Sequence, residues 1–518
     1  MIRWLLLMLA VATPAAAQTL RIGLQSPFAI DPHQVFLGPD MAVAREIYDS
    51  FVGRDQESRW VPALALSWTA DGDHAWVFKL RPGVTFADGT PFTADDVVYS
   101  IDRIMNLDTP NSHRTNLRTI KAYSAIDPLT VRIETDRPNA VLPGQLTNIF
   151  IVSAKTFRDA PLADIQNGKI SNGTGPFRVT SYLRGDRLDL ARNETYWGTK
   201  PAWAQVNERV MTSDAARVAA LLAGDIDLAD VISPSYVQRL ETTKGIALWR
   251  HDSDRVMFVQ PNVRTETLPL LTDTAGNPLT KNPLRDVRVR QAISLGIDRK
   301  ALTQRAFEGD AVPTGQLVPA GFGAYDPTLP PAPYDPAKAK ALLAEAGYPQ
   351  GFGMTIACSN NRFVADEKVC QVLGQMLERI GLKMKVETTP GSVFFARSRP
   401  ETNDWPLIFI GQSNSTSRDP THTLSLALHS LTTEHYGTSN RGGFNDPALD
   451  AMIDAAVQRL DDGREAALHA AMMRGVELGA SIPLYVQKVV VATRLPITYA
   501  PRMDEQTVAQ AAEPGPAK

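Results

Sequence analysis

Three of the eight histidines, His422, His429 and His435, fall within one stretch of fourteen residues, a density at which neutral imidazoles could hold a metal ion. Their separations of seven and six match no compact ligand template such as i, i+4, so they read as ordinary surface histidines. Asp225, Asp227 and Asp230 could supply a metal site or an acid/base pair. They follow a helical stretch over 215–222, however, and read as a solvated turn. Asn193-Glu194-Thr195 and Asn414-Ser415-Thr416 match the short glycosylation pattern. The patterns G-x-S-x-G, H-E-x-x-H, G-x-x-x-x-G-K-S/T and G-x-G-x-x-G do not occur, which removes most of the support for hydrolase and nucleotide chemistry.

Cys358 and Cys370 are the only cysteines. In an oxidising compartment such a pair forms a disulfide, and closing so short a loop contributes roughly 3 kcal/mol in the chain-entropy model. Two buried free thiols are the alternative; a redox-active pair lacks the C-x-x-C spacing. The elements that position them are legible. Residues 354–358 read as a strand, and Val369, Leu373, Met376, Leu377 and Ile380 give 365–380 an apolar helical face. Gly381 stops the helix and 383–387 forms a second strand, making a βαβ unit with parallel strands.

Elsewhere the chain alternates strands and helices with no fixed repeat. Residues 20–24 read as a strand, and Val43, Ile47 and Phe51 as a helical stripe. Trp76 to Leu80 reads as a strand after the Asp71-Gly72-Asp73 turn. Thr93 with Asp96 forms a capping box ahead of Val97, Ile101 and Ile104. Asp286 caps a helix whose Val289, Ile293 and Ile297 face inward while Arg288 and Arg290 face out. Asp335-Pro336 opens another helix, which Gly347 ends.

Residues 1–17 have the pattern of a secretory signal peptide: Arg3, an uncharged run from Trp4 to Ala12, then Ala15-Ala16-Ala17 before Gln18. The run is shorter than the roughly 20 residues of a membrane span, and no cysteine follows it to carry a lipid anchor. An exported, periplasmic chain is expected. Its 518 residues, 44% hydrophobic and 21% charged, have an ordinary globular composition, and at roughly 150 residues per domain suggest about three domains. A net charge of −3 leaves no basic surplus for nucleic acid or lipid headgroups.

The stretch 43–49 (Val-Ala-Arg-Glu-Ile-Tyr-Asp), then Pro62 to Trp68, then Phe78 to Val97 with its Arg81-Pro82-Gly83-Val84-Thr85-Phe86 and Asp88-Gly89-Thr90-Pro91-Phe92 runs, together resemble the family 5 extracellular solute-binding proteins. These are the peptide and nickel binders that feed bacterial ABC importers. Gly173-Thr174-Gly175-Pro176-Phe177, Asn193 to Trp197, Asp286 to Ile293, Ala344 to Pro349, Asn445-Asp446-Pro447 with Asp450, and Ile482-Pro483-Leu484-Tyr485 continue the match in order.

The resemblance implies an α/β fold: a two-lobed periplasmic-binding-protein clamp, type II-like, with an additional inserted domain and mixed sheets flanked by helices. Lobe I would comprise 18–50, 179–261 and 488–518, the insertion 51–178, and lobe II 262–487. It implies a peptide or peptide-like solute held between lobes and handed to a membrane-embedded ABC permease by a monomer, without cofactor, metal or catalysis. Nickel chelates, opines and oligosaccharides are competing solutes, and a secreted hydrolase using acids near Asp419 is the other class.

Peptide binders of the family carry a Gly-Trp-x-x-Asp stretch whose acid meets the ligand amine. Here the stretch after the strand that begins at Trp405 reads Gly411-Gln412-Ser413-Asn414-Ser415, with Asp419 the next acid. Either Asp419 takes the amine or the solute has no free α-amino group. Arg362 is the candidate for a carboxylate, since its planar fork makes two hydrogen bonds to that group; a fold-stabilising or exposed arginine is the alternative. Trp405, Gln412, Asn414 and Ser415 complete the expected ligand contacts.

Overall fold

A computed structural model describes residues 19–34, 37–107, 113–433 and 436–515. Residues 1–17, read above as a signal peptide, and His435 lie outside them. Two long strands organise the molecule, Ile246–Pro261 and Ile482–Arg494. The second is an almost unbroken apolar run, buried nearly throughout, as a strand covered on both faces must be. The two pair antiparallel from Ile246 opposite Arg494 to Asp252 opposite Lys488, and again from Val256 opposite Val486 onward, with a register break between.

On one side the sheet continues through Leu407–Ser413 and Gly353–Ser359, on the other through Leu228–Ala229, Thr19–Leu24, Gln205–Val210, Arg187–Arg192 and Phe177–Leu183. The result is one mixed twelve-stranded sheet. Separate apolar clusters line it. One surrounds Met257, Phe258, Ile356, Leu373 and Tyr485; a second surrounds Leu20, Ile22, Phe177 and Val491; a smaller one joins Leu221 and Leu240 to Ala492. A fourth cluster, with Phe51, Phe78, Ile101 and Val131, packs on a four-stranded antiparallel sheet of Ala65–Ala70, Ala75–Leu80, Thr130–Thr135 and Ile120–Asp127.

The βαβ unit forms as expected. Gly353–Ser359 runs parallel to Lys383–Thr389, with the helix Asp366–Glu378 between them. Cys358 and Cys370 are bridged, their Cα atoms 6.6 Å apart. Thr93 N donates to Asp96 Oδ2 at 2.9 Å, and Asp335 Oδ1 accepts from Lys338 N at 2.9 Å. Gly347 follows that helix at φ +94°, a left-handed position that glycine enters freely.

Other expectations are corrected. The first helix is Gly38–Ile47, so Phe51 lies past its end and packs in the cluster with Phe78. Arg290 does not face out: it is buried, and its guanidinium donates to the carbonyls of Leu478, Leu284 and Arg285. Ile297 is buried, but beyond the helix Val287–Leu295. Neither glycosylation pattern offers an accessible amide, because Asn193 and Asn414 are both buried and hydrogen-bonded. His422 and His429 are not surface residues either. His429 is 5% exposed, and burial pulls His422 down to about 4.

Candidate functional site

A cleft opens beside the paired long strands, near their register break. Gln25, Pro39, Ala42, Asp230, Val231 and Val489 line it from one side, and Arg255, Phe307, Arg362 and Val364 from the other. Its empty space is about 1020 Å³, open solvent at the mouth included. Gln487, Lys488 and Glu505 complete it. Asn360, Asn361, Ser233 and Ser235 stand around an adjoining opening.

Charge is unevenly matched in this space. Arg255 pairs with Glu505 at 2.9 Å, and Glu505 also accepts from Gln487 Nε2 at 3.0 Å. Arg362 has no such partner. Its Nε is buried without an acceptor among the described residues, and its guanidinium carbon lies 5.0 Å from the Phe363 ring centroid. Burial, and then the neighbouring Arg255, pull it down to about 10. A guanidinium so placed is a site for an anion, and a carboxylate fits its fork.

Asp230 is the acid that sequence reasoning placed in a solvated turn. It is 7% exposed, accepts from Gln25 N at 2.8 Å and lies 3.3 Å from Arg217 Nε. Burial outweighs Arg217 and lifts it to about 7. Val231 beside it has φ +42°, a left-handed conformation that is a true outlier for a β-branched residue and marks stored strain at the cleft. Asp227 pairs with Arg21 at 2.6 Å instead.

The remaining predicted residues lie in a loop packed against the neighbouring cluster. Gln412, half-buried, sits opposite Val256 at the end of the strand Leu407–Ser413. Asn414 donates to Leu317 O at 3.0 Å and accepts from Thr423 Oγ1 at 2.7 Å. Ser415 Oγ meets Ser413 Oγ at 3.1 Å. Gly144 approaches this loop so closely that a Cβ there would lie 1.8 Å from Thr416 O, which excludes any other residue.

Asp419 is already engaged: Arg464 Nη2 lies 2.9 Å from its Oδ2, and Thr421 N donates to its Oδ1 at 2.8 Å. Trp405 is not at the cleft. It is fully buried, stacked on Phe394 with centroids 5.7 Å apart, and Arg397 covers its ring at 4.1 Å. Pro406 separates it from the strand it was expected to begin.

A second group of buried charge lies by the register break. Asp254 is fully buried, and burial, with Glu505 adding, lifts it to about 7. Arg54 lies 3.6 Å from Asp504 and is pulled down by burial. Nothing in the local sequence marks either residue, because their neighbours come from distant segments.

Residues 59–433 match the family described as bacterial extracellular solute-binding proteins, family 5. The chain belongs to this family. Its curated relatives include the glutathione-binding protein GsiB of Escherichia coli (strain K12), 32% identical over 381 residues that cover 72% of this chain and 69% of GsiB. Two solved structures share the fold. The ABC transporter-associated periplasmic binding protein DppA from Helicobacter pylori, in complex with the peptide STSA, is 23% identical, with a TM-score of 0.78 over 95% of this chain and 97% of that one. NikA from Brucella suis, in complex with Fe(III)-EDTA, is 21% identical, with a TM-score of 0.80 over 96% and 99%. The fold is therefore that of the two-lobed periplasmic binding proteins. This family 5 chain is a solute-binding protein, and no helix among its described residues is long and apolar enough to cross a membrane.

Proposed function

We propose that the chain captures a small peptide-like solute bearing a free carboxylate, of the class to which glutathione belongs, and delivers it to an ABC permease in the bacterial envelope. The observation that carries this reading is Arg362, a half-buried arginine whose Nε is buried without an acceptor and which has no ion pair among the described residues, lining the cleft beside Arg255. The 32% identity to a glutathione-binding protein supports the solute class.

In this reading 18–50, 179–261 and 488–518 form one lobe and 262–487 the other, with 51–178 inserted. The long strands act as hinges at the register break. Residues 1–17 direct export, and the protein works as a periplasmic monomer that binds its solute without turning it over. Arg362 meets the carboxylate, and Asp230, across the cleft, is the acid that faces an amine better than Asp419, which Arg464 holds.

The test is a calorimetric and thermal-shift panel of glutathione, free dipeptides and tripeptides, their C-terminal amides, an opine and a nickel chelate. A solute at a hundred times its Kd should stabilise the chain by roughly 2.7 kcal/mol. Free acids should bind and amides should not. Binding of amides and acids alike, a shift from the metal chelate alone, or turnover of a bound peptide would overturn the reading.

A further inference from the structure

The loop that presents Arg362 is tied down from inside. Cys358, next to the end of the strand Gly353–Ser359, is bridged to Cys370 in the helix Asp366–Glu378, and both are fully buried. The bridge therefore closes a ring of chain whose free part is 360–365. Within that ring Asp366 Oδ2 accepts from Ser359 Oγ at 2.7 Å, Arg362 N at 3.1 Å and Phe363 N at 3.2 Å. Its Oδ1 accepts from Glu367 N at 3.0 Å. Ala365 takes φ +54° to turn the chain into the helix.

Neither flanking element needs the bridge to form. The strand is paired along its whole length with Lys383–Thr389 and in part with Leu407–Ser413. The helix buries Val369, Leu373, Met376 and Leu377 against it. What remains for the bridge and Asp366 to constrain is the loop, and the loop's cleft-lining residues are Arg362 and Val364. Ordering a long side chain only when a ligand arrives costs roughly two- to tenfold in affinity, so a pre-placed guanidinium binds more tightly than a mobile one.

We infer that the Cys358–Cys370 disulfide and Asp366 are positioning residues for solute recognition, holding Arg362 ready for a carboxylate, so that opening the bridge weakens binding while the fold persists. The inference rests on the reading of the cleft as a carboxylate site. It also accommodates a thiol-bearing solute: both sulfurs are fully buried, and thiol–disulfide exchange requires access of the attacking thiolate to sulfur. Such a solute does not open the bridge of the folded chain that holds it.

The experiment is a thermodynamic cycle on the full chain, combining Cys358→Ala/Cys370→Ala with Arg362→Ala. Titration calorimetry uses S-methylglutathione, whose sulfur is capped, and free dipeptides. The double cysteine variant should melt cooperatively with native circular dichroism and bind about tenfold more weakly. In the Arg362→Ala background the cysteine changes should cost nothing further. Unchanged affinity in the double variant overturns the inference, as does an equal loss in both backgrounds, which would mark general loosening. Should the double variant not fold, Asp366→Asn with the bridge intact is measured by the same cycle and the same criteria. If the unaltered chain binds none of the probes, the carboxylate reading of the cleft falls and this inference with it; if it binds, only the cycle decides.

Discussion

Arg464 holds Asp419 across 45 residues of sequence, its Nη2 2.9 Å from the carboxylate, in a pair whose two side chains are both nearly buried. Thr421 adds a backbone donor to the same acid and its hydroxyl accepts from the same arginine at 2.7 Å. Asp419→Ala leaves a buried guanidinium uncompensated and should destabilise the chain by about 2–4 kcal/mol, with solute affinity changed less than twofold. Urea unfolding and calorimetry on one preparation check both halves. A large loss of affinity with unchanged stability would return Asp419 to the ligand.

Arg362→Ala should do the reverse. It removes a half-buried cation that has no ion pair among the described residues, so stability should change little, while a bound carboxylate loses its counter-charge and affinity should fall by about 2–5 kcal/mol. Calorimetry against the solute, paired with a melting curve of the empty chain, reads the two effects separately.

Alkylation addresses the bridge. Non-reduced protein, unfolded in denaturant, should take up no label, and reduction should expose two thiols. The reduced chain should unfold about 3 kcal/mol more easily in the chain-entropy model. Two labels without reduction would show that Cys358 and Cys370 are free.

Acidity enters through Asp230 and Asp254. Both sit at about 7 in the fold, raised by burial from an ordinary 3.8. Between about pH 4 and pH 7 the folded chain keeps protons that the unfolded chain has released, so their contribution to stability is whole below that window and lost as pH rises through it. Buried histidines such as His422, pulled down to about 4, act in the opposite sense over the same window, so the test is a difference. As pH rises from about 4 to about 7 the unaltered chain should lose melting temperature relative to Asp254→Asn. A slope identical in the variant would remove Asp254 from the account.

Elements with a clean period and a local cap were legible: Asp335-Pro336 with Gly347, the Thr93/Asp96 box, and the βαβ unit around the cysteines. The place of Arg362 just beyond a strand was legible as well, and it lines the cleft. Asp230 was not. Its partners are Arg217, on a helix that precedes it, and the amide of Gln25, 205 residues away, so the local charge run suggested solvent where the fold supplies burial. Arg290 misled in part for the same reason: two of its acceptor carbonyls, of Leu284 and Arg285, lie just before its own helix, but the third, of Leu478, is 188 residues away. The long strand Ile246–Pro261 hid because His251-Asp252-Ser253-Asp254 breaks its apolar pattern where its register breaks.

That break has a mechanical meaning. Because one continuous sheet runs through both proposed lobes, a rotation between them would twist a ribbon instead of swinging a door on slack loops. Under the proposed two-lobe movement, the paired stretch Ile246 to Asp252 would travel as a stiff plate, with the torsion taken up between Asp252 and Phe258, where the register shifts twice. Asp254 lies buried in that segment, where the ribbon would have to turn.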